Sequence, residues 1–219
     1  MCGRTAIYKT PKQLGRVFDA DIEQTKWEGS YNVAPGTETP IVTRNSPRNL
    51  SDAFWGFIPE WADDIEEWMQ KSVINARSET AAGKSLFEDA VESNRCLVPS
   101  NGFYEWKGSR GSKTPFYIHV KDRETFAFAG IYSEYSDGSY SYAVLTQDPN
   151  EKVAGLHDRM PVILSKEMES QWLNFELSPQ NFPRINSEKL EVYPVTSHVN
   201  NPEFDNERCV KKKSTLSDF

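Results

Sequence analysis

The sequence predicts an α+β fold, in which a predominantly antiparallel, curled or barrel-like β-sheet core carries a few short helices. Two observations support this. Eight short runs rich in β-branched and aromatic residues are separated by Gly, Asp, Asn, Ser and Pro clusters. Only two segments have helical spacing, and they fall at irregular intervals with no βαβ alternation.

The elements follow in order. Thr10-Pro11 ahead of Leu14, Val17 and Phe18 reads as an N-cap, a proline in the first turn and one apolar face. The strand-like runs are "TPIVTR", "DAFWGFI", "RCLVPS", "GFYEW", "PFYIHV", "TFAFAGIY", "YSYAVLT" and "LEVYPV". "SETAAGKSLFEDAVE", Ser78 through Glu92, places Ala82, Leu86, Phe87 and Val91 near helical spacing and predicts a second helix. "SDGS" at 136–139 predicts a hairpin turn. From Asn200 the chain turns polar and reads as unpacked. The expected organisation is one domain over 1–209 with a flexible tail over 210–219.

Composition bounds the function classes. The chain has 219 residues, enough for one substantial core, with 37% hydrophobic and 26% charged residues. No apolar run approaches the roughly 20 residues that cross a bilayer, and no secretory leader is visible. Three cysteines, Cys2, Cys96 and Cys209, without C-x-x-C spacing argue against disulfides and point to a reducing, cytoplasmic interior. The histidines are too scattered for a zinc site and no carboxylate cluster suggests magnesium, so neither metal nor cofactor is expected. A net charge of −7 argues against indiscriminate nucleic-acid binding but leaves room for a local basic groove.

Four stretches hold chemistry-bearing residues. In "MCGRT", loss of the initiator methionine would leave Cys2 with a free α-amine beside its thiol; the alternative is an incidental cysteine in a frayed terminus. "SVINARSET" holds Asn75, Arg77 and Glu79 where an apolar stretch becomes polar; Ser78 as a helix cap and Arg77 as a solvated charge is the plain alternative. In "NGFYEWKG", strand alternation sets Glu105 with Phe103, apart from Tyr104 and Trp106. It is either a desolvated carboxyl with raised pKa or a solvated edge residue. "GLHDRMPVIL" offers His157, flanked by Asp158 and Arg159, as a proton shuttle or as a turn histidine bound to backbone. His119 and His198 have weaker surroundings.

Taken together these stretches resemble the SOS-response-associated peptidase (SRAP) family. "MCGRTA", "YNVAPGTETPIV", "WGFIPEWA", "NARSET", "FEDAVESNRCLVPSNGFYEW", "FAFAGIY", "LHDRMPVIL" and "YPVTSHVNNP" occur in family order from Cys2 to about Cys209. The resemblance implies a protein that shields abasic sites in single-stranded DNA through a covalent adduct at its N-terminal cysteine, with capacity to process its own terminus and a possible lyase activity. It implies Glu105 and His157 as acid–base groups and Asn75 as the residue orienting the amine. Arg4, Asn32, Arg77 and Arg159 match positions lining the DNA groove, and Trp68 offers a stacking face, or else packs in the core. Two departures stand out: Ser30 replaces a common arginine, and "WADDIEEW" is acidic where basic residues often stand.

The chemistry also follows from the residues. The open form of an abasic deoxyribose is an aldehyde; an amine condenses with it to an imine, and a thiol on the adjacent carbon closes a thiazolidine. An α-amine with an ordinary pKa of about 7.7–8.0 is partly neutral in the cell and needs little activation.

Two other readings remain. A thiol hydrolase of the class II glutamine amidotransferase type also begins Met-Cys-Gly, and a non-covalent single-strand-binding module would leave Cys2 idle. A monomer in the cytoplasm, nucleoid-associated in a prokaryote, is expected. In "KKKSTLSDF", Leu216 and Phe219 have the spacing of a sliding-clamp-binding peptide; a disordered solubilising tail is the alternative.

Overall fold

The computed structural model of the chain describes residues 2–22, 25–44, 48–71, 73–109, 112–136 and 138–213. Its first half runs β1 (Thr5–Ile7), α1 (Pro11–Phe18), β2 (Ala20–Ile22), β3 (Ser30–Val33), β4 (Glu38–Thr43), β5 (Arg48–Trp55), α2 (Ile65–Lys71), β6 (Asn75–Arg77) and α3 (Glu88–Ser93). The second half runs β7 (Arg95–Ser100), β8 (Gly102–Ser109), β9 (Ser112–Val120), β10 (Phe126–Ser136), β11 (Ser139–Gln147), α4 (Glu151–Ala154), β12 (Met160–Pro161), β13 (Ile163–Leu164), α5 (Lys166–Leu173) and β14 (Leu190–Pro194). Among the described residues no helix is long and apolar enough to cross a membrane.

Five strands close into a ring. β11 pairs with β10, β10 with β7, β7 with β4, β4 with β5, and β5 returns to β11. Closure leaves these strands no free edge. Strands that alternate in direction can close a ring only in even number, so five require one parallel seam. That seam is β5–β11, with Ala53, Phe54 and Trp55 opposite Tyr140, Ser141 and Tyr142. Where β5 ends, β6 takes over the same edge of β11, also parallel, setting Asn75 opposite Val144 and Arg77 opposite Thr146. A second sheet runs in the order β14-β9-β8-β1-β3 and is antiparallel throughout.

The core fills the ring and its outer face. All six residues of β7 are buried, as its unbroken apolar run requires of a strand covered on both sides. Trp172 of α5 is fully buried, and its indole N–H donates to Cys96 O (3.1 Å) and Gly130 O (3.2 Å), fixing the helix to β7 and β10. α1 begins as its sequence predicts: the Thr10 hydroxyl accepts from the Gln13 amide, and the Gln13 side chain accepts from the Thr10 amide.

All eight strand-like runs are strands, and Ser136 pairs with Ser139 at the expected hairpin, with Gly138 at φ +78° supplying the left-handed turn residue. The short strands β1, β2, β3, β6, β12 and β13 carry too few residues to show a period. Two expectations need correction. Ser78–Glu92 is not one helix: Ser78 N–H donates to Thr146 O (2.9 Å), so the β6–β11 pairing runs past the expected cap. A turn, a 3-10 segment at Ala81–Gly83 and the short α3 follow, with Gly83 weakening any helical continuation.

The chain beyond Asn200 is likewise packed rather than loose. Val199 and Cys209 are fully buried, Tyr31 N–H donates to Asp205 (2.6 Å), and the backbones of Lys212 and Lys213 join the sheet at Val195 and Pro194. The flexible tail expected over 210–219 therefore does not include 210–213. Leu216 and Phe219 lie outside the described residues.

Gly102, where β1 meets β8, has no room for a side chain: a Cβ there would stand 2.3 Å from the Tyr117 ring, itself fixed by its hydroxyl on Asn101 O (2.9 Å). Gly102→Ala is expected to lower stability by about 1–3 kcal/mol, the usual cost of overpacking. A urea midpoint equal to wild type would show that Tyr117 yields freely.

Candidate active site

The site forms where the two sheets meet around the N-terminal segment. β1 pairs with β8 at Thr5–Phe103, and the Tyr104 amide donates to Arg4 O (3.0 Å), so residues leaving β1 toward the terminus run alongside Glu105. From the other side, the Asn75 side-chain amide on β6 donates to Cys2 O (2.9 Å). Cys2 is thus held between a strand of the ring and a strand of the second sheet, and it is fully buried.

Each group has a definite electrostatic setting. Burial, and after it the Glu105 carboxylate, pushes the Cys2 thiol far above its ordinary range, so the sulfur stays protonated. Glu105 is 3% exposed and its Oε1 has no hydrogen-bond partner. Burial raises its pKa to about 7, against the chain's amino-terminal charge and with a smaller contribution from Asp158. A carboxyl near neutrality accepts and returns a proton with little driving force in either direction. Of the two alternatives in the sequence, the desolvated carboxyl is the one found. Asn75 Oδ1 is also buried and unpartnered, an acceptor beside Cys2.

His157 lies in the loop between α4 and β12. Its Nδ1 is 2.7 Å from Asp158 Oδ1 and 3.0 Å from the Arg159 amide, which donates to it in the neutral ring. Burial first, and the amino-terminal charge second, lower its pKa.

Arg159 explains how two distant motifs share one site. Its guanidinium makes two bonds to Glu79 (2.9 and 2.7 Å), one to Asp148 (2.9 Å) and one to Thr146 O (2.7 Å). Thr146 is also the partner of Arg77 in the β6–β11 pairing. The "HDR" loop is thereby tied to "NARSET". Sequence reasoning noted Glu79 and gave it no role; Asp148 carries no local signal, because its partner lies across the ring.

The expected DNA contacts divide. Arg77 is exposed and no partner engages its side chain among the described residues. Trp68 on α2 is not core: α2 buries no residue, Trp61 meets Trp68 edge-on at 5.5 Å, and Lys71 Nζ stands 3.9 Å from the Trp68 ring centroid. Trp61, absent from the sequence-derived set, is 57% exposed. Arg159, in contrast, is already engaged by carboxylates. Asn32 is a correction: it is 3% exposed, accepts from Arg4 (2.8 Å) and donates to Asn201 O (2.9 Å) and Phe204 O (2.8 Å), leaving nothing for DNA. Arg4, half-buried, also donates to Val199 O (3.1 Å). Arg4 and Asn32 fasten the C-terminal segment to the strands next to Cys2.

A buried cysteine held by an amide and acted on by a titratable carboxyl, with a histidine on a loop tied to the same seam, at the join of a strand ring and a second sheet, defines a cysteine-centred site on an α+β domain. A family model described as SOS response associated peptidase (SRAP) matches residues 1–202. The abasic site processing protein YoaM of Bacillus subtilis is 37% identical over 215 residues, covering 92% of this chain and 94% of its own. The abasic site processing protein YedK of Escherichia coli is 30% identical, covering 92% and 95%. A solved protein of Bacteroides thetaiotaomicron superposes with a TM-score of 0.87 at 26% identity, covering 97% of this chain and 100% of its own. The chain belongs to the SRAP family.

Two measurements probe the site's electrostatics. The folded-state pKa of Glu105, about 7, exceeds the ordinary 4.5, so the native state holds a proton that the unfolded state releases. Stability is expected to fall as pH rises from about 4.5 to about 7, and to level off above it. Urea midpoints between these limits should decline in wild type relative to Glu105→Gln; parallel curves would show that the carboxyl ionises freely.

For the loop tie, Glu79→Gln should cost about 1 kcal/mol, at the low end for a charged bond because Glu79 is 41% exposed. The His157 titration, followed by NMR, should move up toward the ordinary 6.5 as the loop loosens and gains solvent. No movement would mean that Asp148 and Thr146 suffice.

Proposed function

We propose that this protein handles abasic sites in single-stranded DNA by covalent capture at Cys2. The observation behind this is the hold on Cys2: Asn75 fixes its carbonyl, and the charge of the buried Glu105, whose Oε1 has no hydrogen-bond partner, acts on its thiol. The names of the relatives, abasic site processing proteins, agree with the reading.

Removal of Met1 frees the α-amine of Cys2. The amine adds to the C1′ aldehyde of the ring-opened deoxyribose, and loss of one water gives the imine. The thiol then adds across the C=N bond: sulfur bonds to carbon, its proton passes to nitrogen, and a five-membered thiazolidine closes. Glu105 receives the thiol proton and delivers it to nitrogen. His157 serves the ring opening, where the C1′ hydroxyl loses a proton and the ring oxygen gains one. Asn75 Oδ1 accepts from the amine and orients it, and such placement supplies much of the acceleration.

A thiolate is not required, which suits a thiol that burial keeps protonated. The same burial disfavours the amidotransferase-type reading, in which the sulfur attacks first. Arg77 contacts phosphate and Trp68 stacks on an unpaired base.

Incubation with an abasic oligonucleotide should give a band shift that survives heat and detergent, in protein whose intact mass lacks the methionine. Cys2→Ala should retain only a labile imine, because the amine survives but no ring can close. A variant adduct as heat-stable as wild type would sink the thiazolidine, and the absence of any adduct in wild type would sink covalent capture altogether.

A further inference from the structure

A cavity of about 470 Å³ lies away from Cys2. It opens between β13, the start of α5 and the stretch 183–189. Val120, Ile163, Leu164, Met168 and Ile185 make an aliphatic floor. Arg123, Lys166, Arg184 and Lys189 stand around it against one acid, Glu167. Four cations to one anion is the reverse of the balance in a chain of net charge −7. Two of the four are committed inward, Arg123 and Lys166 both bonding to the buried Glu169. Arg184 is 57% exposed and loosely paired with Asp148, and the exposed Lys189 side chain makes no hydrogen bond among the described residues, with only the charge of Glu167 acting on it.

The cavity is joined to the active site through one carboxylate. Asp148 places Oδ1 2.9 Å from Arg159 and Oδ2 3.4 Å from Arg184. The wall of the cavity therefore begins a carboxylate's width from the arginine that holds the His157 loop. Met160 through Leu164 run directly from that loop to the cavity floor.

We infer that this cavity is a second nucleic-acid subsite, which takes the nucleotides flanking the abasic position on one side of the strand. The inference rests on the proposed function and extends it. An aliphatic floor fits the apolar face of a base, and a cationic rim fits the phosphates beside it. The floor has no aromatic ring, so binding is tolerant of sequence and dominated by charge. Continuity with the lesion site favours the strand already bound there over an acidic peptide, whose docking here is the competing outcome.

Strand length and salt test this. Anisotropy is measured with single strands of about 5 and about 15 nucleotides bearing a stable abasic analogue, within the site sizes common for single-strand grooves. Wild type should bind the longer strand more tightly, with a steeper salt dependence. Lys189→Glu should lose the gain from length, its log–log salt slope on the long strand falling by at least about 0.7 for the lost phosphate contact. It should still crosslink the short reactive strand at wild-type rate.

An unchanged length dependence and slope in Lys189→Glu would overturn the subsite. So would a polyglutamate peptide that binds wild type but not Lys189→Glu without competing with DNA, since it would make the cavity a protein-docking surface. Failure of wild type to crosslink the short strand would instead refute the proposed function, so the two failures are distinguishable.

Discussion

An odd ring of strands cannot alternate all the way round, and much of this molecule's arrangement depends on how that constraint is met. The parallel seam between β5 and β11 is unavoidable once five strands close. Because β5 stops partway, the same edge of β11 is open to a second parallel partner, and β6 fills it. Asn75 is the first residue of that replacement strand and reaches across to the carbonyl of Cys2. Thr146, at the far end of the seam, receives both the Ser78 amide and the Arg159 guanidinium. The amide that holds Cys2 and the loop that carries His157 are thus registered by one edge of one strand.

The second sheet supplies what the ring cannot. A carboxyl has to be desolvated to titrate near neutrality, and β8 buries Glu105 with one oxygen unpartnered. Leaving a polar atom in that state is destabilising, by about 1–3 kcal/mol for a group of this kind. The surrounding structure offsets it with packing: Phe103 and Tyr104, next to it on β8, are fully buried, and the Tyr104 hydroxyl donates to Tyr31 O (2.6 Å). Arg4 and Asn32 extend the fastening to the C-terminal segment, so both ends of the domain converge on the strand that presents Cys2.

How far the sequence revealed this depends on the range of the interaction. Strand alternation placed Glu105 and the hairpin at Gly138 correctly because both are set by neighbours in sequence. The helix expected over Ser78–Glu92 fails because Ser78 is claimed by Thr146, a partner 68 positions away. Asn32 and Arg159 look like groove residues in one dimension, where a polar side chain in a motif suggests a ligand. In three dimensions each is engaged by the protein itself, through contacts spanning 169 and 80 positions. The polar stretch after Asn200 misleads for the same reason: its anchors, the carbonyls of Asn201 and Phe204 and the Asp205 carboxylate, meet partners about 170 positions away. Eight family motifs in order identified the family, but not which residues hold the others in place.

The division between holding and acting residues also bears on charge. An acidic protein meets a polyanion only where its cations are free, and most arginines near this site are not. Arg4, Arg95 and Arg159 are substantially buried and bonded to backbone or carboxylate, and burial holds Arg4 and Arg95 below the ordinary arginine range. Arg77, exposed on β6 two residues from Asn75, is the exception; at the adjoining cavity Arg184 is exposed but paired with Asp148, and the exposed Lys189 has only the charge of Glu167 near it among the described residues. The acidic stretch from Glu60 to Glu67 lies on the opposite side of Trp68 in sequence from Lys71, whose ammonium caps the Trp68 ring. Like charge along that stretch disfavours a polyanion there. For a protein of net charge −7, the places open to a polyanion are thus set by its exposed cations, such as Arg77 and Lys189, rather than by its total charge.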